Sequence, residues 1–209
     1  MQFKEFALHI DILKALEKLH YEQVLPIQEQ VIPEILKGRD VIVRSRTGSG
    51  KTASFAIPIV QELIWEEREP QAIILTPTRE LALQIKEDFD NIGAYRRIKT
   101  VAIFGKQPYK FQIQDLKQRA HVVVGTPGRI LDHLERETLK TGHIRYVIID
   151  EADEMLNMGF IESVQSIFNY FPNDAATDTR TGGRVYERAK ADYVSGRNHS
   201  KHGNHTLCI

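Results

Sequence analysis

The sequence predicts an α/β protein whose mostly parallel, doubly wound sheet is covered by helices on both faces. Amphipathic stretches carry apolar residues at spacings of three or four, such as Leu81, Ile85 and Phe89, and alternate with short β-rich runs. The runs lack polar alternation, as expected of strands buried on both faces, and cover residues 41–43, 72–75, 101–104, 122–124 and 147–149. Proteins of this class bind ligands at the carboxyl ends of their strands.

The composition limits the classes of protein that fit. A chain of 209 residues with 42% hydrophobic residues can form one main domain. Its 28 basic and 28 acidic residues give no net charge, so any contact with a polyanion must be local. A single cysteine, Cys208, excludes a disulfide framework and a cysteine zinc cage. No apolar run approaches the roughly 20 residues of a membrane span, and no signal peptide is found. We expect a monomeric cytoplasmic protein without membrane contact.

The first predicted strand leads into a glycine-rich turn that is typical of a phosphate-binding loop. Gly48 and Gly50 allow backbone N–H groups to close around phosphates, Lys51 can reach the terminal phosphates, and the Thr52 hydroxyl can hold Mg²⁺. Ser45 replaces the first glycine of the general pattern. The predicted nucleotide-binding residues of this loop are Ser45, Arg46, Thr47, Gly48, Ser49, Gly50, Lys51 and Thr52.

Two carboxylates follow the last predicted strand, in the tetrad Asp-Glu-Ala-Asp of residues 150–153. Asp150 is suited to hold Mg²⁺ through water, and Glu151 to orient or deprotonate an attacking water. The alternative is a helix N-terminus whose acidic residues only favour the helix dipole. Beside a phosphate loop we favour a Mg²⁺–ATP site with Lys51, Asp150 and Glu151 as its catalytic residues.

The phosphate loop and the tetrad together resemble the N-terminal RecA-like domain of DEAD-box RNA helicases. This resemblance implies a RecA-like P-loop NTPase fold, ATP and Mg²⁺ as ligands, RNA as partner, and RNA-dependent ATP hydrolysis coupled to duplex remodelling. It also implies that Asp153 couples the nucleotide site to a later Ser-Ala-Thr motif. Such helicases close two RecA-like domains over ATP, and the second supplies arginines to the transition state; we expect this second domain to be missing here. We therefore expect weak activity or none from this chain alone.

Residues 3–28 resemble the family's Q motif, in which a glutamine reads adenine and an upstream aromatic ring packs on the base. Gln28 and Phe3 are the candidates, since an amide offers the donor and acceptor that adenine requires. The alternatives are a solvated helix glutamine and a core phenylalanine. His20 stands where the family has glycine and Leu25 where it has threonine, and loss of that hydroxyl is expected to loosen contacts to the phosphate loop.

Two segments that follow strands resemble the family's motifs Ia and Ib, which hold one RNA strand by its sugar–phosphate backbone. Both place an arginine at a helix start, where N–H groups and positive charge suit phosphates without reading sequence. Between them, Lys106 replaces the second glycine of the family's Gly-Gly motif, which resembles DbpA-type bacterial ribosomal-RNA helicases. A helix cap or a surface salt bridge is the alternative role for each arginine. The predicted RNA-binding residues are Pro77, Thr78, Arg79, Gly105, Lys106, Thr126, Pro127, Gly128 and Arg129.

The resemblance stops near Asp174, where the family has a buried strand ending in Ser-Ala-Thr. We divide the chain into a Q-motif region (1–28), an incomplete RecA-like ATP-binding domain (29–173) and a poorly ordered tail outside the family (174–209). A truncated form with an unrelated tail and a reading-frame shift near Asp174 both explain the break, and sequencing the gene there distinguishes them. Without that strand we expect a gap or an improvised filler beside the phosphate-loop strand, and reduced stability.

The tail also contains three evenly spaced histidines, His199, His202 and His205. An unstructured polar tail is the simpler interpretation, and metal chelation in an extended segment is the alternative. For the function of the chain, a nucleotide- or RNA-binding module without useful turnover is the rival to an ATPase. A DNA helicase or another P-loop ATPase is disfavoured by the combined Q-motif and Asp-Glu-Ala-Asp matches.

Overall fold

The structure is a computed structural model that describes residues 1–46, 48–171 and 204–208. Its centre is a six-stranded sheet with the order β1-β6-β5-β2-β4-β3. All five predicted strands are present, which confirms the α/β class and the mostly parallel sheet. The strands are β1 (Ile42–Arg46), β2 (Ala72–Leu75), β3 (Thr100–Ile103), β4 (Val122–Gly125), β5 (Tyr146–Ile149) and β6 (Asn204–Cys208).

Helices connect the parallel strands and cover both faces of the sheet. None of the helices among the described residues is long and apolar enough to cross a membrane. Short 3₁₀ turns occupy Phe3–Phe6 and Ala94–Arg96. The helices are α1 (Ile10–Lys18), α2 (Pro26–Leu36), α3 (Lys51–Glu62), α4 (Arg79–Ile92), α5 (Tyr109–Lys117), α6 (Pro127–Glu135), α7 (Ala152–Asn157) and α8 (Ile161–Phe168).

The side chains of the central strands divide between two cores. Ile74 and Val124 face the core that contains Phe55 of α3 and Phe89 of α4. Their neighbours in sequence face the opposite core, which α6, α7 and α8 complete. Because successive strand residues point to opposite faces, a strand buried on both faces must be apolar throughout. This explains why these strands show no polar alternation.

Parallel pairing sets the carboxyl ends of three central strands at one level. Leu75 at the end of β2 lies opposite both Gly125 of β4 and Ile149 of β5. The ladder continues one residue further, because the Thr76 N–H donates to the Gly125 carbonyl at 3.0 Å and the Asp150 N–H to the Leu75 carbonyl at 2.9 Å. The segments that follow these strands therefore begin at the same edge of the sheet.

The strand β6 lies antiparallel to β1 and also pairs with β5, so it fills the space between them. Of the two outcomes expected for this space, the structure has the filler. Disorder was expected for the segment 174–209, and the structure differs from that expectation at residues 204–208, while the rest of the segment lies outside the described residues. The physical reason is tertiary: β1 and β5 offer unpaired backbone groups that a short polar segment can satisfy.

The register of β6 shifts β1 along the strand direction relative to β5. Cys208 lies opposite both Ile42, the first residue of β1, and Ile149, the last residue of β5. The carboxyl end of β1 therefore extends beyond that of β5. Of the three tail histidines, His205 belongs to the extended β6 and the other two lie outside the described residues, as does the predicted metal-chelating arrangement.

Candidate functional site

The phosphate loop connects the end of β1 to the start of α3. Gly50 caps α3 with φ of 85° and Gly48 has φ of 75°, both in the left-handed region that favours glycine. A Cβ on Gly50 would lie 2.6 Å from Leu25 Cδ1 and 2.8 Å from Gln28 Nε2. Glycine is thus required at position 50 both for its backbone conformation and because the start of α2 approaches it closely. Thr47 and the Arg46 side chain lie outside the described residues.

Lys51 is a buried, positively charged residue of the phosphate loop. Its side chain begins α3 and is 8% exposed, yet Nζ has no hydrogen-bond partner among the described residues. A buried ammonium without a partner is unfavourable, and the free N–H groups and dipole of the 12-residue α3 add positive charge at the same place. The half-buried Thr52 follows in the first turn. This arrangement suits a phosphate group.

Ser45 replaces the first glycine of the general pattern with a side chain that braces the loop. Its Oγ lies 2.8 Å from Ser49 Oγ, so the two hydroxyls form a hydrogen bond across the turn. Sequence reasoning noted the replacement without foreseeing this contact, because neither hydroxyl has a partner fixed by spacing alone.

The acidic tetrad begins directly after β5. Asp150 is 4% exposed, and its Oδ1 accepts a hydrogen bond from the Glu151 N–H at 3.1 Å. Glu151 caps α7 with φ of 56°, a left-handed conformation that is costly for a residue with a Cβ. Asp153 is half-buried in the first turn of α7. The tetrad thus combines a buried carboxylate with a strained neighbour at the edge where ligands of this fold class bind.

The two candidates for adenine recognition are in different environments. Gln28 is 2% exposed and joins α2 to the phosphate loop, because its Oε1 accepts from the Leu25 N–H at 2.9 Å and its Nε2 donates to the Gly50 carbonyl at 3.4 Å. A solvated glutamine does not fit this burial. Phe3 is also buried, with its ring centroid 6.2 Å from that of Tyr21, and belongs to the main core. Contact of either residue with adenine stays a prediction.

The two segments predicted to bind RNA differ in the exposure of their arginines. In the first, Thr78 Oγ1 accepts from the Leu81 N–H at 3.2 Å and caps α4. Arg79 is exposed, with its guanidinium 4.9 Å from the centroid of the Phe104 ring. This arginine is therefore both located at the edge and open to a ligand.

In the second segment, Thr126 precedes α6 and Pro127 is its buried first residue. The Arg129 side chain is only 12% exposed. Its Nη1 donates to the Gln107 carbonyl at 3.0 Å, and its guanidinium lies 4.1 Å from the centroid of the Tyr109 ring. These contacts are those of the alternative, structural role, and contact of Arg129 with RNA stays a prediction.

Backbone near the two segments is accessible. Gly105 and Gly128 are exposed, and a Cβ on either would have no atom of another described segment within 4 Å, so a ligand can approach either backbone. Lys106 is exposed and has φ of 63°, and His20 has φ of 59°. Both residues stand where the resemblance has glycine, and both keep the left-handed conformation that glycine would adopt.

Sequence reasoning missed a polar cluster beneath these segments, in which Gln112 and His133 are buried and Tyr109, Arg129 and Asp132 are partly exposed. His133 is fully buried, with its Nε2 3.0 Å from Gln112 Oε1. Burial, reinforced by the nearby Arg129 guanidinium, lowers the pKa of His133 to about 4. The available signal was a glutamine and a histidine on the inward faces of α5 and α6, which is too common a pattern to mark a site.

Comparisons with known proteins agree with this geometry. Residues 25–181 match the family model described as DEAD/DEAH box helicase. The chain is 54% identical over 175 residues to the ATP-dependent RNA helicase DbpA of Bacillus subtilis (strain 168), covering 84% of this chain and 36% of that protein. It is 46% identical over 175 residues to the DEAD-box ATP-dependent RNA helicase CshA of Geobacillus kaustophilus (strain HTA426), covering 84% and 38%. The chain thus spans little more than a third of these relatives.

A solved structure shows the same likeness in three dimensions. The crystal structure of a DEAD box protein from the hyperthermophile Methanococcus jannaschii superposes with a TM-score of 0.81 at 42% identity, covering 92% of this chain and 53% of the other. The family match includes the phosphate loop, the acidic tetrad and both arginine segments. The chain therefore belongs to the DEAD/DEAH box helicase family.

Proposed function

We propose that this chain is the ATP-binding and RNA-binding half of a DEAD-box RNA helicase. In the complete protein, RNA-dependent ATP hydrolysis would be coupled to remodelling of RNA duplexes. The observation that supports this most directly is Lys51, whose buried Nζ has no hydrogen-bond partner among the described residues at the start of α3. A bound triphosphate would supply the missing acceptor at that point.

The residues present fit Mg²⁺. This ion usually takes one or two protein ligands and keeps its other positions for water and substrate phosphates, so it needs no dense ligand cluster. Among the described residues no three His, Cys, Asp or Glu side chains are grouped to hold a metal ion, and the proposal needs only Asp150 and Thr52. When bound, Mg²⁺ would neutralise charge on the nucleotide phosphates.

The protein's own groups have distinct roles in the proposal. Gln28 hydrogen-bonds adenine while it braces Gly50, and backbone N–H groups of the loop hold the phosphates. Lys51 neutralises charge that develops on the terminal phosphate. Glu151, whose strained backbone is fixed between β5 and α7, orients the attacking water and accepts its proton. Asp153 would transmit the state of this site to the rest of the complete protein.

RNA would bind along the edge that carries Arg79, Lys106 and Gly128. Exposed positive charge and open backbone suit contacts to phosphates, which are independent of sequence and weaken with salt. A second RecA-like domain would supply the transition-state arginines, an effect of roughly 10³ to 10⁵ on the rate. The monomeric state and cytoplasmic location expected from the sequence are part of the same proposal.

The test compares RNA-stimulated ATP hydrolysis by the wild type and by Glu151→Gln, with binding of a fluorescent ATP analogue measured in both. We expect hydrolysis to fall by about 10²-fold or more while nucleotide binding is retained, because only the proton acceptor is lost. Equal turnover in the two proteins, with binding retained, would reject Glu151 as catalytic and favour a binding module.

The register of β6 favours a second candidate, a nucleotide- and RNA-binding fragment of low activity. This strand occupies the position that the family resemblance gives to the strand ending in Ser-Ala-Thr, and it offsets the end of β1 from that of β5. The Lys51 and Asp150 segments follow those two ends, so their relative placement depends on β6. Replacing residues 174–209 by a strand with the Ser-Ala-Thr motif should raise ATP hydrolysis if this candidate is correct.

A further inference from the structure

All the hydrogen-bonding positions of the Gln112 amide group are occupied by partners. The side chain is 2% exposed. Its Nε2 donates to the Phe104 carbonyl at 3.0 Å and to Gln107 Oε1 at 3.2 Å. Its Oε1 lies 3.3 Å from Arg129 Nη1 and 3.0 Å from His133 Nε2. One buried amide thus connects the turn after β3 to α6, through Arg129 near the start of the helix and His133 in its last turn.

The chemistry of the neighbours fixes the direction of this amide. A backbone carbonyl only accepts and a guanidinium only donates, so Nε2 must face Phe104 and Oε1 must face Arg129. It follows that His133 Nε2 carries the ring proton and donates to Gln112. His133 Nδ1 is then an acceptor, and the Thr138 hydroxyl lies 2.8 Å from it. The lowered pKa of His133 keeps this neutral ring form at neutral pH.

We propose that Gln112 is a positioning residue for RNA binding, which holds the Gly105–Lys106 turn and the N-terminal turn of α6 in one arrangement. This inference rests on the proposed function, which assigns RNA contacts both to the Gly105–Lys106 turn and to the start of α6. A second contact strengthens the connection, since Arg129 Nη1 also donates to the Gln107 carbonyl at 3.0 Å. Two loops that contact the same RNA strand need a fixed spacing, and a fully satisfied buried amide supplies it.

The experiment uses the full chain and a fluorescein-labelled single-stranded RNA oligonucleotide, with binding followed by anisotropy. Gln112→Met keeps the length and apolar packing of the side chain and removes its hydrogen bonds. We expect the Kd for RNA to rise by about five- to tenfold, as loss of a buried network bond predicts. The Kd for a fluorescent ATP analogue should stay within about twofold, since the hydrogen-bond partners of Gln112 among the described residues all lie outside the phosphate loop. Gln114→Met, at an exposed position of the same helix, is the matched control and should bind RNA as the wild type does.

A second variant addresses the risk that Gln112→Met disturbs folding. Gln112→Glu keeps acceptors for Arg129 and His133 but cannot donate to the Phe104 carbonyl, so it releases only the turn after β3. We expect similarly weakened RNA binding with nucleotide binding intact, and an NMR titration should show a raised His133 pKa because a carboxylate has replaced the amide. RNA affinity equal to the wild type in Gln112→Glu would overturn the inference, as would parallel losses of nucleotide and RNA binding in both variants. A wild-type chain that binds no RNA would instead reject the proposed function.

Discussion

The part of the sheet edge proposed to contact RNA and the part proposed to bind nucleotide differ in how their strands are joined. β2 pairs directly and in parallel with β4 and β5, so Leu75, Gly125 and Ile149 end at one level. In contrast, β1 reaches β5 only through β6, an antiparallel strand from the far end of the chain. The positions of the loops proposed to contact RNA are therefore set by strand pairing within the family region. The phosphate loop and Asp150 are instead related through a strand that the family resemblance does not include.

This difference in strand pairing predicts that disrupting β6 lowers the stability of the chain more than any other change considered below. Leu207→Pro removes a backbone N–H within a strand that has a neighbour on both sides, whereas the control Leu207→Val keeps it. Loss of several ladder hydrogen bonds should lower stability by about 3 kcal/mol or more. In a chain of this size that corresponds to roughly 10 °C in Tm by differential scanning calorimetry. A Tm equal to that of the wild type would show that β6 does not support the sheet.

Lys51 has no hydrogen-bond partner for Nζ among the described residues, and removing its charge should affect nucleotide binding and stability in opposite directions. We expect Lys51→Met to weaken binding of an ATP analogue by about 10- to 100-fold, because a charge-assisted hydrogen bond to phosphate is lost. Without nucleotide, the same variant should be more stable by about 1 kcal/mol, since an apolar group replaces a buried ammonium that no described residue hydrogen-bonds. Urea denaturation and fluorescence titration measure the two effects. RNA affinity serves as the control for the other part of the edge and should not change.

The region before β1 also contains Asp40, a carboxyl group whose charged form is disfavoured by burial. Asp40 has an Oδ2 without a hydrogen-bond partner among the described residues, and burial raises its pKa to about 6. The folded protein favours the neutral form of the Asp40 carboxyl group. The stability that this group contributes is therefore fully present below about pH 4 and is lost as the pH rises through about 6. Asp40→Asn should therefore stabilise the protein at pH 7.5 by about 1 kcal/mol, allowing for its partial exposure, and this gain should vanish near pH 4.

Asp88 on α4 is a second carboxyl group whose pKa is raised by burial, and it can be compared with Asp40. Burial, with a smaller contribution from Glu87, raises its pKa to about 6 as well. Thermal melts of Asp40→Asn and Asp88→Asn across this pH range should show the same sign of pH dependence. A gain for Asp40→Asn that is independent of pH would show that ionisation of the carboxyl group is not its cause.

The smallest predicted effects concern the two residues that replace family glycines. His20 precedes the part proposed to bind nucleotide and Lys106 lies in the part proposed to contact RNA, and both adopt positive φ. His20→Gly and Lys106→Gly should each raise stability by about 0.5 kcal/mol, because relief of left-handed strain slightly exceeds the entropy lost on folding glycine. Lys106→Gly should also reduce the salt dependence of RNA binding by about one charge, and His20→Gly should not. Chemical denaturation and salt titrations distinguish the two variants.

Sequence reasoning was most effective where residue type and spacing act locally. The five apolar runs predicted β1 to β5, and the glycine-lysine-threonine turn predicted the junction between β1 and α3. It could not predict the contact between Ser45 and Ser49 or the network around Gln112, since these side chains meet only after the loops are packed. It allowed for a filler beside β1 but did not identify the segment that forms β6, because that segment contains few residues with high strand propensity.

The sequence by itself determined the α/β class, the family and the identity of the phosphate-loop and tetrad residues, because each depends on short-range patterns of hydrophobicity, glycine and charge. The tertiary structure alone decided that Arg79 is exposed while Arg129 is held inside a polar cluster, and that Gln28 braces Gly50. It also placed the tail strand between β1 and β5. The physical reason is that burial, hydrogen-bond partners and strand neighbours are set by contacts between segments distant in sequence, which no local pattern specifies.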